Sequence, residues 1–468
     1  MVVGPGTKLG IEAAIEILSV SMPGRVATGE AVRRQHANSL TWIACEPPDA
    51  VAWPETPQEV AEVVRLAAEY RFPLVPFGAG TSLEGHVNAP FGGLSVDLSR
   101  MSRIIAIHPG DFDAEVEAGV TKDALNAHLR DTGLFFAVDP GAGGATLGGM
   151  AATRASGTTT TRYGSMRDNV LSLTAVMAGG VIVSTGGRAP KSAAGYDLTR
   201  LMVGAEGTLG IITSLRLRLH PVPASVMAAC IPFATLEGAS EAAIAALQAG
   251  LAPARVELLD KEQMRAVNRY SALGQLEAPT LFVEVHGLSG ATAEAMNGIR
   301  EIAMDHGALS FTAAAGEEER RRIWRARHDA FWAVKALRPG RIALVTDVCV
   351  PISRLAECIV ETAADIRSCG LEAPIVGHVG DGNFHAIPLV DPSNEEEMRV
   401  VRGFLDRLVD RALAMQGTST GEHGVGQGKI AALEKEAGPG VDVMRALKRA
   451  LDPEGIFNPG KLFRSLER

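Results

Sequence analysis

Hydrophobic positions along the chain follow two periods, and the alternation between them outlines the fold. Thr56-Pro57-Gln58-Glu59 joins a capping hydroxyl, a proline at the first helical position and a glutamate at the third. Val60, Val63, Val64 and Ala67 then recur at helical spacing, which predicts a helix to about Arg71. Short apolar runs at 74–77, 94–98, 104–107, 114–118, 173–178 and 181–184 read as strands. Short strands with few long helices between them indicate an α+β domain rather than a doubly wound parallel sheet. The breaker cluster His220-Pro221-Val222-Pro223 marks a domain boundary. Beyond it Ser353 is placed to cap a helix carrying Leu355, Ile359, Thr362 and Ile366 and closed by Gly370. Ser393 and Glu396 form a second expected capping box, before a long helix ending near Gly417. Glycine-rich sequence returns after Thr420, so the first domain reads as discontinuous, interrupted by an inserted second one. Residues 1–45 carry only a weak helical pattern.

At 468 residues, two or three domains are expected. The 51 glycines show no collagen period and suggest many tight turns and close backbone approaches, as around a large cofactor. A net charge of −9 argues against a nucleic-acid partner, which needs clustered Lys and Arg. Cys45, Cys230, Cys349, Cys358 and Cys369 form no CxxC or CxxCH pair, which argues against an iron–sulfur cluster, a zinc knuckle or attached haem. They read as reduced core thiols of a cytosolic protein. No apolar run is long enough to cross a bilayer, and no signal or transit pattern opens the sequence. A cytoplasmic location is expected, with peripheral attachment to a membrane left open.

Three glycine-rich segments carry the first candidate chemistry. Pro76-Phe77-Gly78-Ala79-Gly80-Thr81-Ser82-Leu83-Glu84-Gly85-His86 follows a strand directly, so its backbone N–H groups can face an anion such as a pyrophosphate. Leu83 stands where the dinucleotide fingerprint G-x-G-x-x-G requires its third glycine, so that fingerprint fails. The second segment is Asp139-Pro140-Gly141-Ala142-Gly143-Gly144-Ala145-Thr146-Leu147-Gly148-Gly149, continuing to Ala155-Ser156-Gly157 and Arg162-Tyr163-Gly164. The third is Gly195-Tyr196-Asp197-Leu198 with Gly204-Ala205-Glu206-Gly207-Thr208-Leu209-Gly210-Ile211-Ile212-Thr213.

With the opening Val51-Ala52-Trp53-Pro54 and the capped helix, these segments resemble the PCMH-type FAD-binding domain of the vanillyl-alcohol oxidase superfamily. The resemblance implies a two-subdomain FAD-binding domain, an inserted α+β cap domain of antiparallel sheet and helices, and a C-terminal segment returning to the flavin. The expected limits are 1–45, 46–220, 221–420 and 421–468. Pro76, Gly78, Ala79, Gly80, Thr81, Ser82 and Gly85 would then hold the pyrophosphate. Pro140, Gly141, Thr146, Gly148, Gly149, Ala155, Ser156, Gly157, Tyr163, Gly164, Glu206, Gly210, Ile211 and Ile212 would line the rest of the FAD. Asn458, in Asn458-Pro459-Gly460-Lys461, matches the returning loop. Members that tether the flavin through the first loop carry a histidine where this chain has Thr81, which implies non-covalent FAD.

Ile375-Val376-Gly377-His378-Val379-Gly380-Asp381-Gly382-Asn383-Phe384-His385 reads as a β-hairpin with Asp381-Gly382 at a two-residue turn. That register sets His378 directly opposite His385, on one face and at a spacing that suits two nitrogens on one metal ion. A third ligand is available in Gly417-Thr418-Ser419-Thr420-Gly421-Glu422-His423-Gly424-Val425-Gly426. A His₂Glu set leaves positions open for substrate and fits zinc best, with manganese or iron as alternatives.

Here the resemblance narrows to the branch holding the D-lactate and D-2-hydroxyglutarate dehydrogenases and the glycolate oxidase flavin subunit. It implies a metal on His378, His385 and Glu422, with His423 as base. Trp324-Arg325-Ala326-Arg327-His328, Ala336-Leu337-Arg338-Pro339-Gly340 and Thr346-Asp347-Val348-Cys349-Val350-Pro351 are similar to mitochondrial-type D-lactate dehydrogenases, and Arg327 falls on the family's substrate-carboxylate arginine. Hydroxyglutarate-specific relatives carry a lysine in place of Thr346 and an asparagine in place of Ile387. Without them a second carboxylate would be poorly compensated. The implied activity is oxidation of a D-2-hydroxy monocarboxylate, D-lactate foremost, with electrons leaving for cytochrome c, a quinone, an electron-transfer flavoprotein or oxygen. Glycolate oxidation within a complex, hydroxyglutarate-type oxidation and a flavin-binding subunit without turnover are the alternatives. A homodimer is left open.

Overall fold

The computed structural model describes residues 8–37, 42–189, 191–314 and 316–464. Parts of the expected N-terminal segment, 1–7 and 38–41, lie outside them. The chain forms two compact units, one of residues 1–156, 164–222 and 422–468, the other of residues 157–163 and 223–421.

The first unit holds two sheets. Leu74–Phe77, Leu94–Asp97 and Ala50–Ala52 pair in parallel, and Val26–Ala27 adds an antiparallel edge. The helix Pro57–Tyr70 begins as its sequence dictates, with the Glu59 amide donating to Thr56 Oγ1 at 3.2 Å. It ends on Arg71 in left-handed conformation. Val60, Val63, Val64 and Ala67 are buried, at about 1.5–3 kcal/mol for each fully buried valine. The second sheet is antiparallel, in the order Ile104–His108, Asp113–Glu117, Ile211–Arg218, Val170–Met177, Val181–Ser184. The C-terminal segment is tied back to the first glycine loop's strand: the Leu74 amide donates to Ile456 O and the Asn458 amide to Leu74 O, both at 2.8 Å.

The second unit is built on an antiparallel sheet of seven strands, in the order Thr312–Ala313, Ser225–Pro232, Thr280–Gly287, Arg255–Leu259, Ile375–Gly377, Asn383–Ala386, Val348–Cys349. Helices Leu236–Gln248, Ser289–Asp305, Leu355–Ser368 and Glu395–Ala414 share an apolar core with it. Two expected caps are corrected. Ser353 lies within the 3₁₀ turn Ile352–Arg354 and caps nothing, because Pro351 starts that turn before the helix. The long helix is capped one residue late, by Asn394 Oδ1 accepting from the Glu396 and Glu397 amides, while the Ser393 hydroxyl donates to Asp391. Of the five cysteines only Cys230 and Cys358 are buried, and Cys45 is exposed. Among the described residues no helix is long and apolar enough to cross a membrane.

Candidate functional site

In the first unit the glycine segments enclose an open cleft of about 470 Å³. Of the residues singled out in the sequence, Pro76, Gly78, Thr146, Gly148, Gly149, Gly210 and Ile212 line it, together with Phe77, Leu98, Ala118, Ala152, Met202, Ala205 and Gly207. Thr146 joins two of the segments. Its hydroxyl caps the helix Leu147–Thr153 through the Gly149 amide, and a Cβ on Gly78 would meet the same oxygen at 2.2 Å. Only glycine permits that approach. Ser82 Oγ and Asn458 Oδ1 are buried without a hydrogen-bond partner among the described residues. Such groups call for a polar ligand. A cleft walled by glycine and alanine, with buried polar atoms awaiting partners on the first loop and the C-terminal return, fits FAD.

The remaining candidates fall around these features. Ala79, Gly80, Thr81 and Gly85 belong to the first loop, Pro140 and Gly141 to the stretch before Leu147–Thr153, and Ala155 and Ser156 to the stretch after it. Gly164 takes φ +75°, and Ile211 opens its strand fully buried. Gly157 and Tyr163 belong to the second unit. There the Tyr163 hydroxyl and His286 Nδ1 share a hydrogen bond of 2.8 Å. Glu422 and His423 lie in the first unit, where Ser156 Oγ donates to Glu422 Oε2 at 2.8 Å and His423 Nε2 stands 3.6 Å from Glu422 Oε1.

In the second unit the histidine hairpin has a different register. Ile375 pairs with Ala386 and Val376 with His385, so five residues, 378–382, make the connection instead of two. Gly382 does not sit free at the tip. Its carbonyl accepts from the Val350 amide at 3.0 Å, and a Cβ on it would meet Val350 O at 2.2 Å. His378 therefore stands just beyond the ladder. The two imidazoles nevertheless meet edge to face, with ring centroids 5.5 Å apart.

Both rings are held by Nδ1. His378 Nδ1 lies 2.7 Å from Glu257 Oε1, and His385 Nδ1 lies 2.7 Å from the Thr346 carbonyl. Those acceptors fix Nδ1 as the protonated nitrogen and Nε2 as the one that carries the lone pair, an arrangement typical of metal-binding histidine. Arg327 Nη2 donates to His378 Nε2 at 3.2 Å, and its Nε donates to Glu257 Oε2 at 2.5 Å. Glu257 is fully buried. Burial alone would raise its carboxyl pKa, but the interactions with His378 and Arg327 outweigh that and hold it below the ordinary value. Glu257 thus joins the expected carboxylate-binding arginine to an expected metal ligand, and sequence reading missed it. Its only trace is a charged residue inside the apolar strand Arg255–Leu259.

On the neighbouring strand a second buried carboxylate, Glu284, accepts from Trp324 Nε1 at 2.6 Å and Arg320 Nη1 at 3.2 Å, with His286 Nε2 2.7 Å away. It therefore anchors the helix Glu317–His328 that carries Arg327. Burial works to raise its pKa, but His286, Arg255 and Arg320 bring it to about 2. A depressed carboxyl stabilises the fold above its unfolded value of 4.5 and loses that contribution as pH falls towards 2. The shift corresponds to about 3 kcal/mol. Glu284→Gln should therefore be less stable at pH 7 and show a shallower acid limb in thermal melts than the parent. Parallel acid limbs would contradict this.

Residues 48–186 match the family model for the FAD binding domain, and residues 222–462 that for the C-terminal domain of FAD linked oxidases. The chain belongs to the FAD-linked oxidases: it is an FAD-dependent oxidoreductase with the vanillyl-alcohol oxidase type of fold. It is 50% identical over 448 residues to the probable mitochondrial D-lactate dehydrogenase of Danio rerio, covering 95% of this chain and 90% of that one. The D-lactate dehydrogenase [cytochrome] of Arabidopsis thaliana, mitochondrial, is 45% identical, with 89% and 73% covered. In fold the chain is similar to p-cresol methylhydroxylase with substrate bound, at a TM-score of 0.81, 16% identity and coverage of 99% and 98%.

Proposed function

We propose that the protein oxidises D-lactate, or a closely similar D-2-hydroxy monocarboxylate, to the 2-oxo acid, and passes the electrons to an external acceptor such as cytochrome c. The observation that carries this reading is the Arg327–Glu257–His378 chain beside His385. It gathers a guanidinium, a carboxylate and two imidazoles in the second unit, which supports the binding of a carboxylate substrate and of a metal. The names of the Danio rerio and Arabidopsis thaliana relatives favour D-lactate. FAD, bound non-covalently given Thr81, would supply the hydride acceptor.

Arg327 binds the substrate carboxylate. Among the described residues, Glu257 and His378 engage two of its five N–H groups, and the others can serve a ligand. His423 takes the proton from the substrate hydroxyl, with Glu422 as its neighbour in sequence. The family resemblance gives Glu422 as the third metal ligand beside His378 and His385. A divalent cation there, zinc before manganese or iron, would supply Lewis acidity that eases the hydroxyl deprotonation. Selectivity follows from two positions. Thr346 is buried and its Oγ1 accepts from the Ala386 amide at 2.8 Å, and Ile387 is packed into an apolar cluster with Trp324, Val376 and Leu389. Neither offers a cation or amide to a second carboxylate, which disfavours dicarboxylates.

Dialysis of the holoenzyme against a strong chelator tests the metal. Turnover of D-lactate should fall at least about 100-fold, flavin absorbance should stay, and zinc or manganese should restore the rate. Full turnover in protein shown metal-free by elemental analysis would remove the metal from the reading.

A further inference from the structure

Glu206 stood among the residues expected to line the cofactor, yet its carboxylate is committed elsewhere in the first unit. Oε1 accepts from the Val425 amide at 2.6 Å and Oε2 from the Gly426 amide at 2.8 Å. His86 Nε2 lies 3.2 Å from Oε2. The side chain is buried, and burial would raise its pKa, but His86 and the two amides outweigh this and keep it in the charged form.

The backbone adds an independent observation. Glu206 has φ +53°, between Gly204 at +90° and Gly207 at +69°. A residue with a Cβ pays about 1 kcal/mol or more in that conformation, which glycine adopts freely. What a glutamate brings to that position is its side chain. On the other partner, Gly424 at φ +79° makes room for it, since a Cβ would meet Glu206 Oε1 at 2.7 Å and His86 Nε2 at 2.8 Å. The Glu206 carbonyl also accepts from Asn458 Nδ2 at 2.7 Å, fixing the return segment to the same point.

We propose that Glu206 is a positioning residue for the loop 422–426, holding Glu422 and His423 in place, rather than a ligand of the flavin. The proposal rests on the reading of His423 as the base. The clamped amides are two and three residues beyond His423, so losing the clamp loosens the loop directly after the base. A displacement on the order of 1 Å at a reacting group costs about 100-fold in rate.

The test is Glu206→Gln holoenzyme, in which the side-chain amide turns an N–H toward one of the two backbone donors. FAD should be retained, KM should stay within about threefold, and the limiting rate of flavin reduction by D-lactate should fall about 100-fold. The discriminating measurement is a double-mutant cycle with His423→Asn. If Glu206 acts through His423, the double variant reduces its flavin no more slowly than His423→Asn alone. Two losses that multiply mean a merely structural role and overturn the proposal, as does a Glu206→Gln enzyme as fast as the parent beside a slow His423→Asn. A His423→Asn enzyme as fast as the parent overturns the base assignment itself and the positioning role with it. Should Glu206→Gln fail to hold flavin, Gly424→Ala presses on the same carboxylate from the loop side. The same cycle with His423→Asn then decides, with the same two outcomes.

Discussion

His423→Asn is expected to slow anaerobic flavin reduction by D-lactate at least about 1,000-fold while FAD remains bound at full occupancy. Asparagine keeps the size and polarity of the ring edge but cannot accept the hydroxyl proton at neutral pH. Without a base the alcohol proton must leave to water, and the loss should fall on kcat and on kcat/KM together. FAD occupancy should hold because the cleft is lined by other residues, from Pro76 to Ile212. Stopped-flow measurement of flavin bleaching reads the rate, and the 450 nm absorbance of the protein reads occupancy. Rapid bleaching in a fully loaded variant would remove His423 from the chemistry.

Arg327→Ala should lower kcat/KM for D-lactate about 1,000-fold, as two charge-assisted hydrogen bonds worth about 2 kcal/mol each are lost. KM should carry much of that loss, because the carboxylate is held in the ground state as well as in the transition state. The variant has a second expected effect. Glu257 is fully buried, and without the guanidinium it keeps the hydrogen bond from His378 but loses its cation. Leaving a buried charge half paired costs about 3–5 kcal/mol, so the second unit should melt well below the parent. Arg327→Lys separates the two effects. It keeps a cation beside Glu257 but lacks the planar fork, so stability should largely return while kcat/KM stays low. Equal kcat/KM in the parent and Arg327→Lys would mean that the fork does not bind the substrate.

The sequence made the local devices legible and left the tertiary ones hidden. The Thr56 cap, the strands of the first unit and the glycine segments each depend on residues adjacent in the chain, and the structure places them where spacing predicts. The histidine hairpin was misread by two positions. Asp381-Gly382 looks like a free two-residue turn, whereas contact with Val350 pins Gly382 and lengthens the connection. The pair survived that error because a five-residue connection still brings His378 back beside His385. Ser353 and Ser393 each precede an apolar helical run and so resemble caps, yet Pro351 and Asn394 compete more strongly for the start of those helices. Glu257 and Glu284 were invisible for a different reason. Each lies in an apolar strand, and only sheet pairing and helix packing show that Arg327, His378 and Trp324 converge on them. Glu206 lies in a recognised segment, but the two backbone amides it clamps are more than two hundred residues away, so those contacts could not be anticipated.

The most direct measurement is anaerobic mixing of the purified yellow holoenzyme with D-lactate, L-lactate and D-2-hydroxyglutarate at equal concentration, followed at the flavin band. D-lactate should bleach the flavin fully within seconds, and the other two should leave it oxidised or react at least about 100-fold more slowly. Bleaching by L-lactate or by D-2-hydroxyglutarate at the rate of D-lactate, or no bleaching by D-lactate at all, would contradict the proposed function.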